Sequence, residues 1–444
     1  MKSNNFRLGG IAMFVSECLN VNEAGHLTIG GADTIELARE FGTPLYVYDE
    51  ATVRNAMRQY NESINKFYGG NGRVAYASKA FSCKEIYRIA KEEGCGIDTV
   101  SAGELYTALS VGFPAEKIFY HGNNKTVAEL TYAIENNVGR IVVDNLTELE
   151  NISAIAEAQG KTVQILIRVK PGIDAHTHDF MRTGQIDSKF GFALETGEAL
   201  EAIKYILKHR NVELKGIHCH IGSQIFEIAP FELAAEVMVG FMAEVKEKTG
   251  FVLTELNLGG GFGIKYTPEN DPVPYMDYME TVSKVVHKVC EDKGLETPFI
   301  AIEPGRSIVG PAGITLYTVG AVKDIPNVRT YVSVDGGMTD NPRYILYQSV
   351  YEAIVANRAA QPKDAVVTLA GRCCESGDLV GEGMSIQSPK VGDIVAVLAT
   401  GAYNYSMASN YNRVPRAAAV MVKDGKARVI IKRESFEDII KNDV

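Results

Sequence analysis

Val74-Ala75-Tyr76-Ala77-Ser78-Lys79-Ala80-Phe81 opens the regular part of this chain. Small and β-favouring residues with little polar interruption read as a short buried strand, and the run ends on a lysine. A lysine at a buried strand end is costly unless it is paired, neutral or covalently used. Burial readily lowers its pKa toward the free amine that a covalent role requires. The competing reading puts Lys79 just past the strand, in solvent, and the stretch alone leaves both open. Downstream the same texture returns with a regular beat. Apolar runs at 96–100, 118–121, 140–143, 163–169, 214–219, 255–258 and 299–302 follow the one at 73–78. Between most of them lie amphipathic helical patterns, for instance 84–93, 102–111, 146–159, 231–248 and 276–293, and another at 52–67 precedes the first. Eight short strands separated by helices over roughly 240 residues predict a (β/α)8 TIM-type barrel. A doubly wound open sheet has a similar pattern, but no G-x-G-x-x-G fingerprint opens an early helix.

Past about residue 311 the texture changes. Runs at 314–322, 329–334, 365–370, 394–399, 417–422 and 427–432 read as strands joined by Gly, Pro and Asp turns, with a helical interruption at 345–357. The expected organisation is therefore an N-terminal segment 1–44 contributing to a β domain, a barrel over 45–310 and an all-β, sandwich- or barrel-like domain over 311–444. The whole chain of 444 residues is too long for one ordinary core. A formal net charge of −10 without basic blocks argues against nucleic acid and anionic membranes as partners. No apolar run reaches about 18 residues, so no transmembrane helix is expected. The short run at 11–15 only faintly mimics a secretory signal, since Glu17 follows it and no small-residue cleavage site appears. Seven scattered cysteines do not form a disulfide framework, which fits a reducing cytoplasm.

In such a barrel the functional groups gather at the C-terminal strand ends. Strand one ends in Lys79, strand two holds Asp98, and strand three leads into His121-Gly122-Asn123-Asn124-Lys125. Strand six supplies His218-Cys219-His220-Ile221-Gly222-Ser223-Gln224, strand seven Gly259-Gly260-Gly261-Phe262-Gly263, and strand eight Glu303-Pro304-Gly305-Arg306. Successive glycines after a strand can offer backbone N–H groups to an anion, although a flexible turn has the same appearance. His218 and His220 share a strand face, and His176 stands near His178. No Cys, Asp or Glu completes a zinc set with either pair at credible spacing, so no metal is expected.

Tyr76-Ala77-Ser78-Lys79, the His218–Gln224 run, the triple glycine and Glu303-Pro304-Gly305-Arg306 together resemble the alanine-racemase-like, fold-type III decarboxylases that use pyridoxal 5'-phosphate. Asp187-Ser188-Lys189-Phe190-Gly191, Asp340-Asn341-Pro342-Arg343-Tyr344, Cys374-Glu375-Ser376-Gly377-Asp378 and Gly401-Ala402-Tyr403 narrow the resemblance to the diaminopimelate decarboxylase family. That family releases CO2 from meso-diaminopimelate and leaves L-lysine. The motifs run in the family's order over almost the whole chain.

The resemblance implies that Lys79 carries the cofactor, Glu303 faces its ring nitrogen and His220 stacks on the ring. Ser223, Gly260, Gly261, Gly305 and Arg306 would cradle the phosphate, with Asp98 and Asn123 as further candidates for the cofactor's edge. Tyr403 would reach both cofactor and substrate. Arg306 and Arg343 can each grip a carboxylate through two parallel bonds and would hold the one that is retained. Glu375 would pair with the distal ammonium, with Tyr347 sharing that site. Cys374 resembles the general acid that protonates the carbanion; Arg372 and Cys373 before it depart from the usual run. In the family this loop serves the partner subunit, which implies a homodimer with shared active sites. The rivals are decarboxylases of ornithine, arginine or carboxynorspermidine, alanine racemase, and a non-catalytic pyridoxal-phosphate-binding homologue. Arg343 with Glu375 argues against the first group, the Cys374-Glu375 loop and the chain length against the second, and the presence of Lys79 and Cys374 against the third.

Overall fold

Eight parallel strands close on themselves in the computed structural model, which describes residues 14–173 and 188–444. They are β1 (Gly72–Ala77), β2 (Gly96–Thr99), β3 (Ile118–Tyr120), β4 (Arg140–Val143), β5 (Val163–Lys170), β6 (Val212–His218), β7 (Glu255–Asn257) and β8 (Phe299–Ile302). Each pairs with the next in parallel register, and β8 returns to β1 through Ile300 opposite Gly72. The barrel expected from the repeated apolar runs is present. Among the described residues the helix Val127–Glu135, unread in the sequence, carries its own start signal: Thr126 and Glu129 form a capping box.

Ala75, Phe119, Val142, Leu166 and Ala301, from five of these strands, form one buried apolar cluster. Side chains alternate along a strand, so the residue two places on points the same way, one step nearer the C-terminal end. Those next residues are Ala77, His121, Asp144, Arg168 and Glu303. An apolar layer is thus succeeded by a polar one at the end where chemistry is expected.

Lys125, on the loop after β3, and Glu148, in the helix Leu146–Ala158 after β4, are both buried, with Nζ 2.6 Å from Oε1 and 2.8 Å from the carbonyls of Gly122 and Val142. Lys125→Met removes one charge and leaves the other unpaired. It is expected to cost about 3–5 kcal/mol in a denaturant titration.

The chain divides into two units, and the barrel unit comprises Arg54–Gly263 and Pro272–Gly305. The other gathers the N-terminal stretch to Val53, Ile264–Asp271 and Arg306–Val444. Its main sheet runs in the order Leu379–Ile386, Ala365–Ala370, Arg329–Val334, Gly313–Ile325, Leu45–Asp49, Ala418–Lys423, Lys426–Ile431. Ile394–Val397 pairs with both Gly313–Ile325 and Ala353–Val355. A small separate sheet, Leu19–Val21, Leu27–Ile29 and Ala32–Asp33, contributes Leu27 and Ile29 to the same core as Leu45, Leu316, Val397 and Val420.

Two expectations need correction. Leu45–Asp49 does not open the barrel but is hydrogen-bonded on both sides within the β sheet. A strand buried on both faces reads alike in either setting. The helix expected over 345–357 is confined to Arg343–Tyr347 and ends where Gln348 turns left-handed at φ 51°, after which Ala353–Val355 is a strand. No helix among the described residues is long and apolar enough to cross a membrane. Residues 11–13 of the signal-like run, the pair His176 and His178, and Asp187 lie outside the described residues.

Candidate active site

In the barrel unit the polar layer is built around Glu303, which is buried. Its Oε1 accepts from His121 Nε2 and from Asn257 Nδ2, each at 2.7 Å, and its Oε2 accepts from His218 Nε2 at 3.0 Å. Burial works to raise this carboxyl's pKa, but the two imidazoles and their hydrogen bonds outweigh it and hold it well below the ordinary range. His218 is pushed down to about 4 by burial, so it is neutral at neutral pH. Sequence spacing pairs neither His218 nor His220 with an acid, yet the fold brings Glu303 to His218 and His121. The separations are those of hydrogen bonds, and an amide donor shares Oε1, which is the signature of a polar network rather than of a metal site.

Lys79 sits in the short helical turn Ser78–Ala80 after β1 and is exposed, so it is not a buried strand-end lysine. It is not isolated either, because its charge acts on both Asp98 and His220. Burial raises the Asp98 carboxyl, with His121 and Lys79 pulling it back. Burial likewise holds His220 well below the ordinary imidazole value. His220 Nδ1 accepts the Gly260 N–H at 3.3 Å, which leaves the ring proton on Nε2. The Gly260 N–H is thus engaged by His220, a contact that sequence order does not reveal.

The glycines after β7 answer to close backbone packing. A Cβ would meet Glu303 O at 2.2 Å on Gly260 and Gly222 O at 2.7 Å on Gly261, which also has φ 115°. On Gly305 it would meet Ala77 Cβ at 2.8 Å, against the strand end that precedes Lys79. Ser223 lies half-buried beside this loop, whereas Asn123 sits on the loop after β3 with its carbonyl held by Asn145. Arg168, which the sequence reading passed over, lies 4.1 Å from the Phe190 ring centroid and acts electrostatically on Asp98, Asp144 and His220.

The β unit carries a second constellation. Tyr403, left-handed at φ 69°, has the Arg306 guanidinium 4.8 Å and the Arg343 guanidinium 5.1 Å from its ring centroid. Arg306 also donates to Tyr266 Oη, and Arg343 lies 5.0 Å from the Tyr347 ring centroid. Arg306 and Arg343 are only 6% and 5% exposed, and Arg343 Nε has no hydrogen-bond partner among the described residues. A buried guanidinium with an unspent donor is chemistry suited to an incoming carboxylate.

Cys374 and Glu375 are exposed on a loop that Asp378 anchors. The buried Asp378 accepts the Met338 N–H at 2.6 Å through Oδ1 and the Cys373 N–H at 2.7 Å through Oδ2. The Cys374 N–H goes to Asn412 Oδ1 at 3.0 Å, and Glu375 Oε1 accepts the Gly377 N–H at 3.4 Å.

Residues 50–310 match the family profile "Pyridoxal-dependent decarboxylase, pyridoxal binding domain". Diaminopimelate decarboxylase of Bacillus subtilis strain 168 is 49% identical over 432 residues, covering 97% of this chain and 98% of that one. The enzyme of the same name from Bacillus methanolicus is 50% identical over 422 residues, covering 95% and 98%. This chain belongs to the diaminopimelate decarboxylase family. Among solved structures, the family member from M. jannaschii in complex with L-lysine superposes with a TM-score of 0.89 at 35% identity, over 97% of this chain and 98% of that one.

The barrel residues suit the family's cofactor. An accessible primary amine on Lys79, a carboxylate on Glu303 whose Oε2 has one donor among the described residues, and a glycine turn with no room for a Cβ stand on one unit. Sequence reasoning named His121 only as the residue after strand three and missed Asn257, Asp144 and Arg168. The period-2 step beyond each interior apolar residue would have found His121, Asp144 and Arg168.

Proposed function

We propose that this chain decarboxylates meso-2,6-diaminopimelate to L-lysine and CO2 with pyridoxal 5'-phosphate, the last step of lysine biosynthesis by the diaminopimelate route. The observation that carries the reading is 49% identity, end to end, with a decarboxylase of that name. Pyridoxal phosphate, when bound, supplies an electron sink for the carbanion that departing CO2 leaves behind. Lys79 holds the cofactor through its ε-amine, and Glu303 presents its carboxylate to the ring nitrogen. His220, neutral and with its tautomer set by Gly260, offers a ring face for stacking. Asp98 serves the cofactor's other edge. Ser223, Gly260, Gly261 and the backbone of Gly305 and Arg306 receive the phosphate.

Arg306 and Arg343 take the retained carboxylate, Tyr403 reaches both cofactor and substrate, and Glu375 with Tyr347 takes the distal ammonium. Cys374 Sγ delivers the proton that replaces CO2. Assays of CO2 release from meso-diaminopimelate, ornithine, arginine and lysine side by side should show preference for the first. A preference for a monocarboxylate would overturn the substrate assignment. Arg343→Lys keeps the charge and loses the planar fork, so kcat/KM on meso-diaminopimelate should fall about 100-fold, chiefly through KM.

The working form is a homodimer in a reducing cytoplasm. Seven free thiols and an exposed Cys374-Glu375 loop support this reading. Mixing Lys79→Ala protein with Cys374→Ala protein should restore activity if the subunits share active sites. Failure of mixed subunits to recover any would refute the sharing.

A further inference from the structure

Glu303 offers two oxygens to its surroundings, and they are treated unequally. Among the described residues Oε1 takes two donors, from His121 and Asn257, while Oε2 takes one, from His218. The amide of Asn257 is oriented without ambiguity, because its Oδ1 accepts the Gly259 N–H at 2.9 Å while Nδ2 points to Glu303. The Glu303 N–H in turn donates to Gly259 O at 2.7 Å, so the glycine turn and the carboxylate are locked at both main chain and side chain. His218 is fully buried, its Nδ1 has no partner among the described residues and its Nε2 faces Glu303, which assigns the proton to Nε2. The His121 and His218 rings meet edge-on with centroids 4.8 Å apart, so neither can swing without displacing the other.

We propose that His121, His218 and Asn257 are positioning residues that fix Glu303 as a carboxylate in one orientation and leave Oε2 as the acceptor for the ring nitrogen of pyridoxal phosphate. The proposal rests on the role given to Glu303 above and adds the residues through which that role is set. With two donors on it, Oε1 has both in-plane lone pairs spent. Oε2 retains one. Each donor to a buried carboxylate also strengthens its anionic form, and losing one weakens that preference. Asn257 has a further effect: it makes the turn after β7 and the acceptor on β8 respond together.

Cofactor affinity of the apo-protein, read by fluorescence titration with pyridoxal phosphate, tests this apart from turnover. Visible absorption spectra and apo-protein melting curves accompany it. Glu303→Gln is the reference for loss of the acceptor charge. His218→Leu removes a donor at similar volume, and His218→Gln can restore one. Asn257→Asp keeps the oxygen that Gly259 needs but turns a donor toward Glu303 into a like charge. His218→Leu and Asn257→Asp should each weaken cofactor binding by the folded apo-protein about tenfold or more and shift the visible band, with a lowered melting temperature because each perturbs a buried carboxylate. His218→Gln should recover most of the loss. If Glu303→Gln weakens binding while His218→Leu and Asn257→Asp do not, the positioning role is wrong and the role of Glu303 stands. If leucine and glutamine at 218 are equally harmful, the histidine only fills space and the proposal fails. If Glu303→Gln leaves affinity unchanged, both readings fall. Should His218→Leu not fold, Asn257→Asp decides the matter alone.

Discussion

Lys79→Ala should lower turnover of meso-diaminopimelate by about a thousandfold or more while leaving the fold intact. The two halves of this expectation come from different features. Lys79 is exposed on a short turn, and a change at an exposed position away from packed groups usually moves stability by no more than about 0.5 kcal/mol. Its amine nevertheless stands where its charge reaches Asp98 and His220, at the polar end of the barrel. Borohydride treatment of the loaded wild-type protein should leave a cofactor-sized mass on the peptide containing Lys79, and none in the variant. Retention of that mass on another lysine would sink the assignment. Melting curves close to wild type would show that the loss is chemical.

Cys374→Ala should cut lysine formation about 100-fold and divert part of the flux to aberrant protonation, whereas Cys373→Ala should do little. The two thiols are adjacent in sequence but differ in their surroundings. Cys373 is half-buried, and burial together with Asp378 pushes its thiol up to about 11. It stays protonated through the physiological range, beside a carboxylate whose like charge opposes any thiolate. Cys374 is exposed, with its N–H held by Asn412, and so is presented rather than packed. Lysine yield and the isotopic pattern of product formed in deuterated water would separate the two variants. The opposite ranking would move the acid role to Cys373.

The barrel is legible in the sequence because a parallel strand buried on both faces is a continuous apolar run, and eight such runs recur. Leu45–Asp49 shows the limit of that signal. Its five buried residues would suit a barrel strand as well as the sheet strand they form. Leu379–Ile386 went unread because Gly381 and Gly383 interrupt it. The sites divide in the same way. A residue such as Lys79, on the turn directly after β1, can be placed at the C-terminal end of the barrel from order alone. The partners of Glu303 cannot, since His121 lies 182 residues away and only barrel closure makes the two adjacent. The contact between the Gly260 N–H and His220 Nδ1 is hidden for a related reason: sequence order does not reveal which neighbours a backbone donor meets.

Asp378 has a consequence for anyone wishing to change what this protein accepts. Its two carboxylate oxygens join the main chain at Met338, just ahead of the turn leading to Arg343, to the main chain at Cys373, just ahead of Cys374 and Glu375. Gly337 and Gly371 are closed to any side chain, because a Cβ would lie 2.3 Å and 2.2 Å from that same carboxylate. The two stretches therefore behave as one cassette, fastened by Asp378 together with the bond from the Arg372 N–H to Gly336 O. A loop grafted from a relative with a different substrate would have to bring its own glycines and its own aspartate, or both halves would come loose together.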